Sequence, residues 1–369
     1  MWQGLRRREQ RGAVRRMAGG KGWARTALLA VVLLALSWVG AGRVSWAQTA
    51  PAGCAGSNLL VQLPPQIRAR IAERVAQTPH AHGILWEATQ GDRRITLVGT
   101  YHFDDPRHAD TLAALRPALR DAAALFVEAG PAEEARLTRA LTEDPSLMVA
   151  PSGPTLPERL TPEEWQALSA AMEARGIPAF VAARLRPWYV SMMLGMSPCM
   201  LRAMAAGGEI GGLDHQLIAL AQARDLPVQA LEPWDTIFDV FAGLSEDQET
   251  DMIRAALPAA VAADDYAATL TDSYFAADVW SLWEFTRQDA YAHSGLSRAQ
   301  VDAQMALARR KLMDDRNRAW IGPLTAGATE AAREGRGIVA GFGALHLPGE
   351  HGVLSLLAAQ GWQLRRLDG

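Results

Sequence analysis

The chain has 369 residues, with 37 Lys and Arg side chains against 40 Asp and Glu, and a formal net charge of −3. Residues 1 to 47 hold nine of the basic and one of the acidic side chains, which leaves 28 and 39 in the remainder, a net charge of −11. An acidic protein has no electrostatic reason to bind nucleic acid or anionic lipid, so charge excludes both partner classes. The roughly 320 residues from 48 to 369 are enough for a single domain with inserted segments.

The first 47 residues are predicted to be a signal peptide. Basic side chains precede an apolar run from Ala27 to Val39, and Ser45 and Ala47 offer small residues at the cleavage positions. The apolar run is shorter than the about 20 residues of a membrane span. We therefore predict a periplasmic or secreted protein with no stable membrane insertion after cleavage; an uncleaved anchor is the alternative.

The chain contains two cysteines, Cys54 and Cys199. An exported protein meets an oxidising environment, so these two residues are a candidate disulfide between the N-terminal segment and the middle of the chain. The alternatives are two inert buried thiols, or a lipid on Cys54. The context of Cys54 resembles the end of a lipobox, although it lacks the leucine.

A surface helix and a β-hairpin are predicted ahead of the first buried strand. The helix lies within residues 58 to 80 and is entered through Pro64 and Pro65, with apolar side chains on one face. Residues 83 to 88 and 94 to 98 have the pattern of two strands that turn around Gly91. The sheet is therefore expected to begin with an antiparallel pair.

A β-α-β unit follows this hairpin. The apolar run from Ile95 to Val98 breaks at Gly99, and His102 comes three residues later. Residues 110 to 124 have apolar side chains at helical spacing, and residues 125 to 128 form a second short strand that ends in Glu128. His102 and Glu128 thus stand at carboxyl ends of strands, which is the edge of an open α/β sheet where ligands bind.

Two helical insertions, at about residues 131–205 and 245–320, are predicted to cap the sheet. Between them, Asp214 stands in the first turn of a helix, where it is either the N-cap or an acid of the site. A strand over residues 226 to 232 ends in Glu232, just as the strand over residues 125 to 128 ends in Glu128.

A charged run at residues 314 to 318 is expected to interrupt the helix before the last β-α-β unit. Such a run is usually a solvated face, but Arg316 and Asn317 could instead turn inward and hold an anion or a carboxylate.

The strand–turn–helix pattern returns near the C-terminus. Residues 337 to 341 form an apolar strand that leads through Gly343 to His346, and a helix over 353 to 360 and a strand over 362 to 365 follow. Two strand ends therefore each present a Gly-x-x-His, in a chain with only eight histidines. Convergent titratable groups of this kind predict one shared site; two hydrogen-bonded loop histidines are the alternative.

An ordered set of short motifs resembles the TraB/GumN family, which is grouped with the Tiki proteins and more distantly with erythromycin esterases. The match spans roughly residues 54 to 368. The resemblance implies an α/β core with a mixed sheet and inserted helical caps, an active site built from the two Gly-x-x-His histidines and an intervening glutamate, and the metal-dependent proteolysis described for Tiki proteins. The motifs are Gly99-Thr100-Tyr101-His102, Glu128, Gly212-Leu213-Asp214, Leu231-Glu232, Arg316-Asn317 and Gly343-Ala344-Leu345-His346-Leu347-Pro348-Gly349.

Two neutral imidazoles and one or two carboxylates form a donor set suited to Zn, Mn, Co or Fe, with positions open for water. A metal there would lower the pKa of its water and polarise a carbonyl. We therefore expect an exported metal-dependent hydrolase of the peptidase type, acting on a peptide or small-molecule substrate. The expected metal ligands are His102, Glu128 and His346.

The other candidate residues are expected to complete this site. Glu232 or Asp214 would complete the metal shell or act as the general base. Arg316 would anchor a substrate carboxylate, with Asn317, Tyr101 and Asp214 also at the substrate. The alternatives are a metal-free esterase in which His102 is the base and Glu128 orients it, or a non-catalytic peptide-binding or regulatory protein.

Overall fold

The computed structural model describes residues 56 to 205 and 211 to 368. The predicted signal peptide over residues 1 to 47 and Cys54 lie outside these ranges. The export signal and the Cys54–Cys199 disulfide therefore stay predictions. In the described ranges no helix is both long and apolar enough to cross a membrane.

The described residues form a six-stranded sheet in the order β4-β3-β5-β2-β1-β6. Strands β4, β3, β5 and β2 run parallel, whereas β1 pairs antiparallel with both β2 and β6. This arrangement confirms the predicted mixed α/β fold. The strands are β1 Leu85–Gln90, β2 Arg93–Thr100, β3 Ala122–Val127, β4 Val228–Ala230, β5 Gly337–Gly343 and β6 Gln363–Arg366.

Helices surround this sheet and form two large segments between its strands. One segment lies between β3 and β4, and the other lies between β4 and β5. The helices are α1 Leu59–Gln62, α2 Pro65–Ala76, α3 His108–Asp121, α4 Pro131–Glu143, α5 Leu156–Arg159, α6 Pro162–Glu173, α7 Ala179–Ala182, α8 Pro187–Leu194, α9 Pro198–Ala205, α10 Leu213–Gln222, α11 Thr236–Phe241, α12 Glu246–Val261, α13 Ala263–Phe275, α14 Val279–His293, α15 Arg298–Arg309, α16 Asp315–Ala332 and α17 Val353–Ala359.

The sheet is buried on both faces, which explains the continuous apolar run of β2. Successive side chains of a strand point to opposite faces. Leu97 packs with Trp320 and Leu324 of α16, whereas Val98 packs with Leu217 of α10 on the other face. A parallel sheet covered by helices on both sides needs apolar residues at every position of its central strands.

One boundary of the first β-α-β unit differs from the sequence prediction. Helix α3 ends at Asp121 and β3 begins at Ala122, three residues before the expected start at Leu125. Alanine has a high intrinsic helix propensity, so three consecutive alanines favoured a longer helix. Pairing of Ala122 with Gly337 of β5 instead places this stretch in the sheet, because tertiary contacts override local propensity.

The prediction that a charged run interrupts the last long helix was wrong. Residues 310 to 314 form a π-helical turn that leads directly into α16, so Asp314 to Arg318 lie within a continuous helical segment. The helical segment also continues to Ala332, beyond the expected end near residue 320. Asp314 is buried, whereas Asp315 and Arg318 are exposed, so the charges of this run fall on different sides of the helix.

Candidate active site

Four neighbouring parallel strands bring four of the predicted site residues to one edge of the sheet. Glu232 follows β4, Glu128 follows β3, His346 follows β5 and His102 follows β2. Strands β2 and β5 are adjacent and in register, with Thr100 opposite Gly343. The two Gly-x-x-His segments therefore leave the sheet side by side.

Three of these side chains surround the backbone of Gly343. A methyl group placed on Gly343 would lie 3.2 Å from Glu128 Oε1, 3.6 Å from His346 Cδ2 and 3.7 Å from His102 Nε2. The Gly343 N–H donates to Glu128 Oε1 at 2.6 Å. Both imidazoles and the carboxylate thus face one small space, and glycine keeps that space open.

His102 is the accessible member of this group, and it is paired with Asp214. Its side chain is 58% exposed, and His102 Nδ1 lies 3.2 Å from Asp214 Oδ2. Gly212, at the start of α10, permits this approach, because a methyl group there would lie 2.3 Å from the His102 carbonyl carbon. Gly212 itself is the N-cap of α10. Of the two roles considered for Asp214, the structure therefore places its side chain at the site.

The His102–Asp214 contact shifts the pKa of both groups. The hydrogen bond to Asp214 raises the pKa of His102, and the charge of Glu128 adds to this effect. Burial of Asp214 acts to raise the pKa of its carboxyl, but the bonds to His102 and His215 outweigh burial and hold it well below its usual range. Asp214 is therefore an anion that stabilises a positive charge on His102.

Arg316 is inserted between the two strand-end glutamates. Its Nε donates to Glu232 Oε1 at 2.6 Å, and its Nη2 donates to Glu232 Oε2 at 2.9 Å and to Glu128 Oε2 at 2.7 Å. Its Nη1 donates to the Leu312 carbonyl at 3.0 Å and lies 3.4 Å from His346 Nε2. A guanidinium has five N–H donors, and each has a protein acceptor here. Arg316 thus forms a clamp within the protein, and its expected role as an anchor for a substrate carboxylate stays a prediction.

This clamp sets the charges of Glu128 and His346. Burial acts to raise the pKa of Glu128, but the surrounding His346, Arg316 and His102 and the Gly343 N–H together lower it to about 2. Burial lowers the pKa of His346 to about 3; the charge of Glu128 opposes this shift, and Arg316 and His102 add to it. At neutral pH Glu128 is therefore an anion, and His346 is a neutral imidazole.

The structure places Glu232 and two predicted substrate-contacting residues inside the protein. Glu232 accepts a further bond from Trp320 Nε1 at 2.9 Å, so its oxygens are used by the protein. Tyr101 is 6% exposed, and its hydroxyl lies 2.8 Å from Thr271 Oγ1. Asn317 is 1% exposed and contacts His346. Both side chains are buried against protein partners, and their expected contact with substrate stays a prediction.

A second histidine beside Asp214 was missed by the sequence analysis. His215 Nδ1 lies 3.5 Å from Asp214 Oδ2, and its Nε2 lies 3.3 Å from Glu134 Oε1. The bond to Asp214, followed by the bond to Glu134, raises the pKa of His215 to about 10. Its position directly after Asp214 was a signal in the sequence, but its contact with Glu134 of α4 comes from the fold.

The predicted metal ligands have suitable donor types but do not form a metal cage. Imidazole nitrogens and a carboxylate suit Zn, Mn, Co or Fe. Within residues 56–205 and 211–368, however, no group of three or more His, Cys, Asp or Glu side chains is arranged to hold a metal ion. The Arg316 guanidinium lies against Glu128 Oε2 and close to His346 Nε2, on two of the side chains that would hold the metal. The metal stays a prediction.

Comparison with known proteins identifies the family of the chain. The family model described as the TraB/PrgY/gumN family matches residues 84–366, which is more than half of the chain and includes every residue of the candidate site. No curated protein and no solved structure gave a match.

Proposed function

The chain belongs to the TraB/PrgY/gumN family, and on that premise we propose that it is a hydrolase that cleaves an ester or amide bond with water. The observation that carries this proposal is the space above Gly343, which is bordered by the imidazole of His102 and the carboxylate of Glu128. Among these groups His102 has an exposed side chain and an anionic partner, Asp214. An accessible histidine oriented by a carboxylate is the arrangement that general-base catalysis requires.

In the proposed reaction His102 removes a proton from water. Its Nδ1 faces Asp214, so Nε2 is the nitrogen available to accept the proton. The water oxygen adds to the carbonyl carbon of the substrate, and the carbonyl electrons move to its oxygen. When that intermediate collapses, the bond to the leaving oxygen or nitrogen breaks, and His102 returns the proton to the leaving atom. Asp214 and Glu128 remain ionised and stabilise the imidazolium that forms in between.

This assignment changes the orienting residue of the metal-free alternative. From the sequence, that role was expected of Glu128, whose two oxygens are instead held by the Gly343 N–H and by Arg316. Asp214 contacts the imidazole of His102 directly. Glu128 therefore contributes its charge, and Asp214 contributes the orientation.

The metal-dependent peptidase predicted from the sequence is the second candidate. It is supported by the two imidazoles and the carboxylate that border one space. His102, Glu128 and His346 would hold the ion, which would supply an activated water and polarise the substrate carbonyl. Metal content measured on the purified protein, and activity measured with a chelator and with added Mn, Co or Zn, distinguish the two candidates.

The proposal is tested by activity on panels of p-nitrophenyl esters and short peptides. His102→Ala should abolish hydrolysis without loss of stability, because an exposed imidazole supports little of the core. The matched control is His293→Ala, which also removes an exposed histidine paired with an aspartate: His293 Nδ1 lies 2.9 Å from Asp289 Oδ1, and its side chain is 64% exposed. Equal activity of the two variants would contradict the assignment of His102 as the base.

Gly343→Ala tests whether the space above Gly343 is where the reaction occurs. The backbone φ of Gly343 is −46°, so alanine introduces no left-handed strain. Its methyl group would lie 3.2 Å from Glu128 Oε1, a tight contact that requires only a small adjustment. We expect a folded protein with activity reduced at least tenfold. Full activity of this variant would place the reaction elsewhere. If the unaltered protein hydrolyses no member of either panel, a binding or regulatory protein is favoured instead.

A further inference from the structure

Asn317 is a buried amide that connects His346 to the loop after β5. Its Oδ1 lies 2.6 Å from His346 Nδ1, and its Nδ2 donates to the His351 carbonyl at 2.9 Å. The residue is 1% exposed. A buried amide is costly unless its donors and acceptors are paired, and both polar ends of Asn317 have partners that are fixed in the fold.

These contacts determine which nitrogen of His346 carries the hydrogen. A backbone carbonyl only accepts, so the amide nitrogen of Asn317 must face His351 and its oxygen must face His346. The amide oxygen also only accepts, so Nδ1 of His346 must donate. On the other side of the ring, Nε2 lies 3.4 Å from the Nη1 of Arg316, which only donates. Nε2 must therefore keep its lone pair.

We propose that Asn317 is a positioning residue that locks His346 in the Nδ1–H tautomer, so that its Nε2 faces the Arg316 guanidinium as an acceptor. The other tautomer would place an N–H against a guanidinium N–H, and this contact would be lost. Arg316 would then be held less firmly, and so would Glu128, whose Oε2 accepts from Arg316. Asn317 thus acts on the site through His346 and Arg316 without touching a substrate.

The helix is built to present these groups together. Arg316, Asn317 and Trp320 lie within five consecutive residues of α16, and the centroids of the Trp320 and His346 rings are 4.4 Å apart. The π-helical turn over residues 310 to 314 directly precedes them. One extra residue in a turn rotates the following helix by about 100°, and such turns frequently occur at functional sites. The turn therefore contributes to aiming Asn317 and Arg316 at the sheet edge.

The tautomer can be measured without a substrate by 15N NMR of histidine-labelled protein at neutral pH, with His346→Gln used to assign the resonances. We expect His346 to show a protonated Nδ1 and an unprotonated Nε2. Asn317→Leu removes the acceptor at similar size, and the share of the Nε2–H form should then rise, because only Arg316 still opposes it. Asn317→Asp keeps an oxygen acceptor, so Nδ1 should keep its hydrogen.

Two outcomes would overturn this inference: an Nε2–H tautomer in the unaltered protein, or an unchanged tautomer in a folded Asn317→Leu variant. The first outcome requires no variant, so the test holds even if Asn317→Leu does not fold. Of the expected results, only the effect on turnover rests on the proposed hydrolase function. With a substrate in hand, Asn317→Leu should lower kcat by about 10- to 100-fold with little change in KM, and Asn317→Asp should recover part of that loss. A locked tautomer in a protein without hydrolytic activity would contradict the proposed function and leave the role of Asn317 intact.

Discussion

Replacing Arg316 with alanine tests whether this residue belongs to the fold or to the substrate site. An arginine that anchors a substrate would leave the fold intact when removed and would raise KM. The structure instead shows all five of its N–H donors used within the protein, three of them by Glu128 and Glu232. We therefore expect Arg316→Ala to destabilise the protein before any effect on substrate binding can be seen.

The size of this effect follows from the burial of the cluster. The side chains of Arg316, Glu128 and Glu232 are 18%, 19% and 11% exposed. Removing the cation leaves two carboxylates close together in a poorly solvated place. Removing one partner of a buried ion pair lowers the free energy of unfolding by about 3 to 5 kcal/mol. With a urea m value of about 3 kcal/mol/M, the midpoint of unfolding should fall by about 1 to 2 M.

Urea unfolding followed by circular dichroism measures this change. The matched control is Arg318→Ala, two residues further along the same helix. Arg318 pairs with Asp315 at 3.0 Å, but the two side chains are 46% and 54% exposed. An exposed ion pair of this kind contributes about 0 to 1 kcal/mol to the free energy of unfolding. Arg316→Lys should lie between the two variants, because lysine keeps the charge but lacks the planar fork that reaches both glutamates.

One result would refute this reasoning directly. If Arg316→Ala unfolds at the same urea concentration as Arg318→Ala and the only change is a higher KM, the guanidinium is free for substrate. The clamp geometry would then not describe the protein in solution, and the substrate-anchor role expected from the sequence would return.

Three further predictions concern other parts of the molecule. Asp214 raises the pKa of His102 above its ordinary value of 6.5, so activity that needs neutral His102 should increase with pH through a pKa above 6.5. Asp214→Asn should move this increase to lower pH and reduce the maximal rate. A pH profile that does not move would exclude His102 as the titrating base. If the site holds a metal, His102→Ala and His346→Ala should each abolish metal uptake in elemental analysis, and the double variant should be no worse than either single one; full metal content in one of them would exclude a shared ion. If Cys54 and Cys199 are bridged, the intact mass of exported protein should be two hydrogens lower than that of the reduced form, and two alkylatable thiols under denaturing, non-reducing conditions would exclude the bridge.

Local sequence patterns determined much of this fold. The hairpin turn at Gly91 was predicted from a glycine between two strand-like segments, and this residue has a positive φ of 58°. Thr161 and Glu164 stand three residues apart, the spacing of a capping box, and each side chain accepts from the backbone N–H of the other residue. The positions of His102 and Glu128 directly after apolar strands were also visible in the sequence. Each of these features depends on residues a few positions apart.

The composition of the site was decided by contacts between distant parts of the chain. Hydrophobic periodicity shows which face of a strand is buried, but it does not show which strand lies beside it. Only the placement of β5 between β3 and β2 puts His346 between Glu128 and His102. The same limit applies to Arg316, which is 188 residues from Glu128 in sequence and yet is bonded to it.

The roles of charged residues were the least accessible to sequence analysis. A carboxylate in the first turn of a helix, such as Asp214, can cap that helix, face solvent or pair with another element, and the local sequence is the same in each case. Its pairing with His102 depends on α10 packing closely over the end of β2, which Gly212 permits. Whether Arg316 binds a substrate or holds two glutamates likewise depends on which acceptors surround it, and the tertiary structure alone supplies those acceptors.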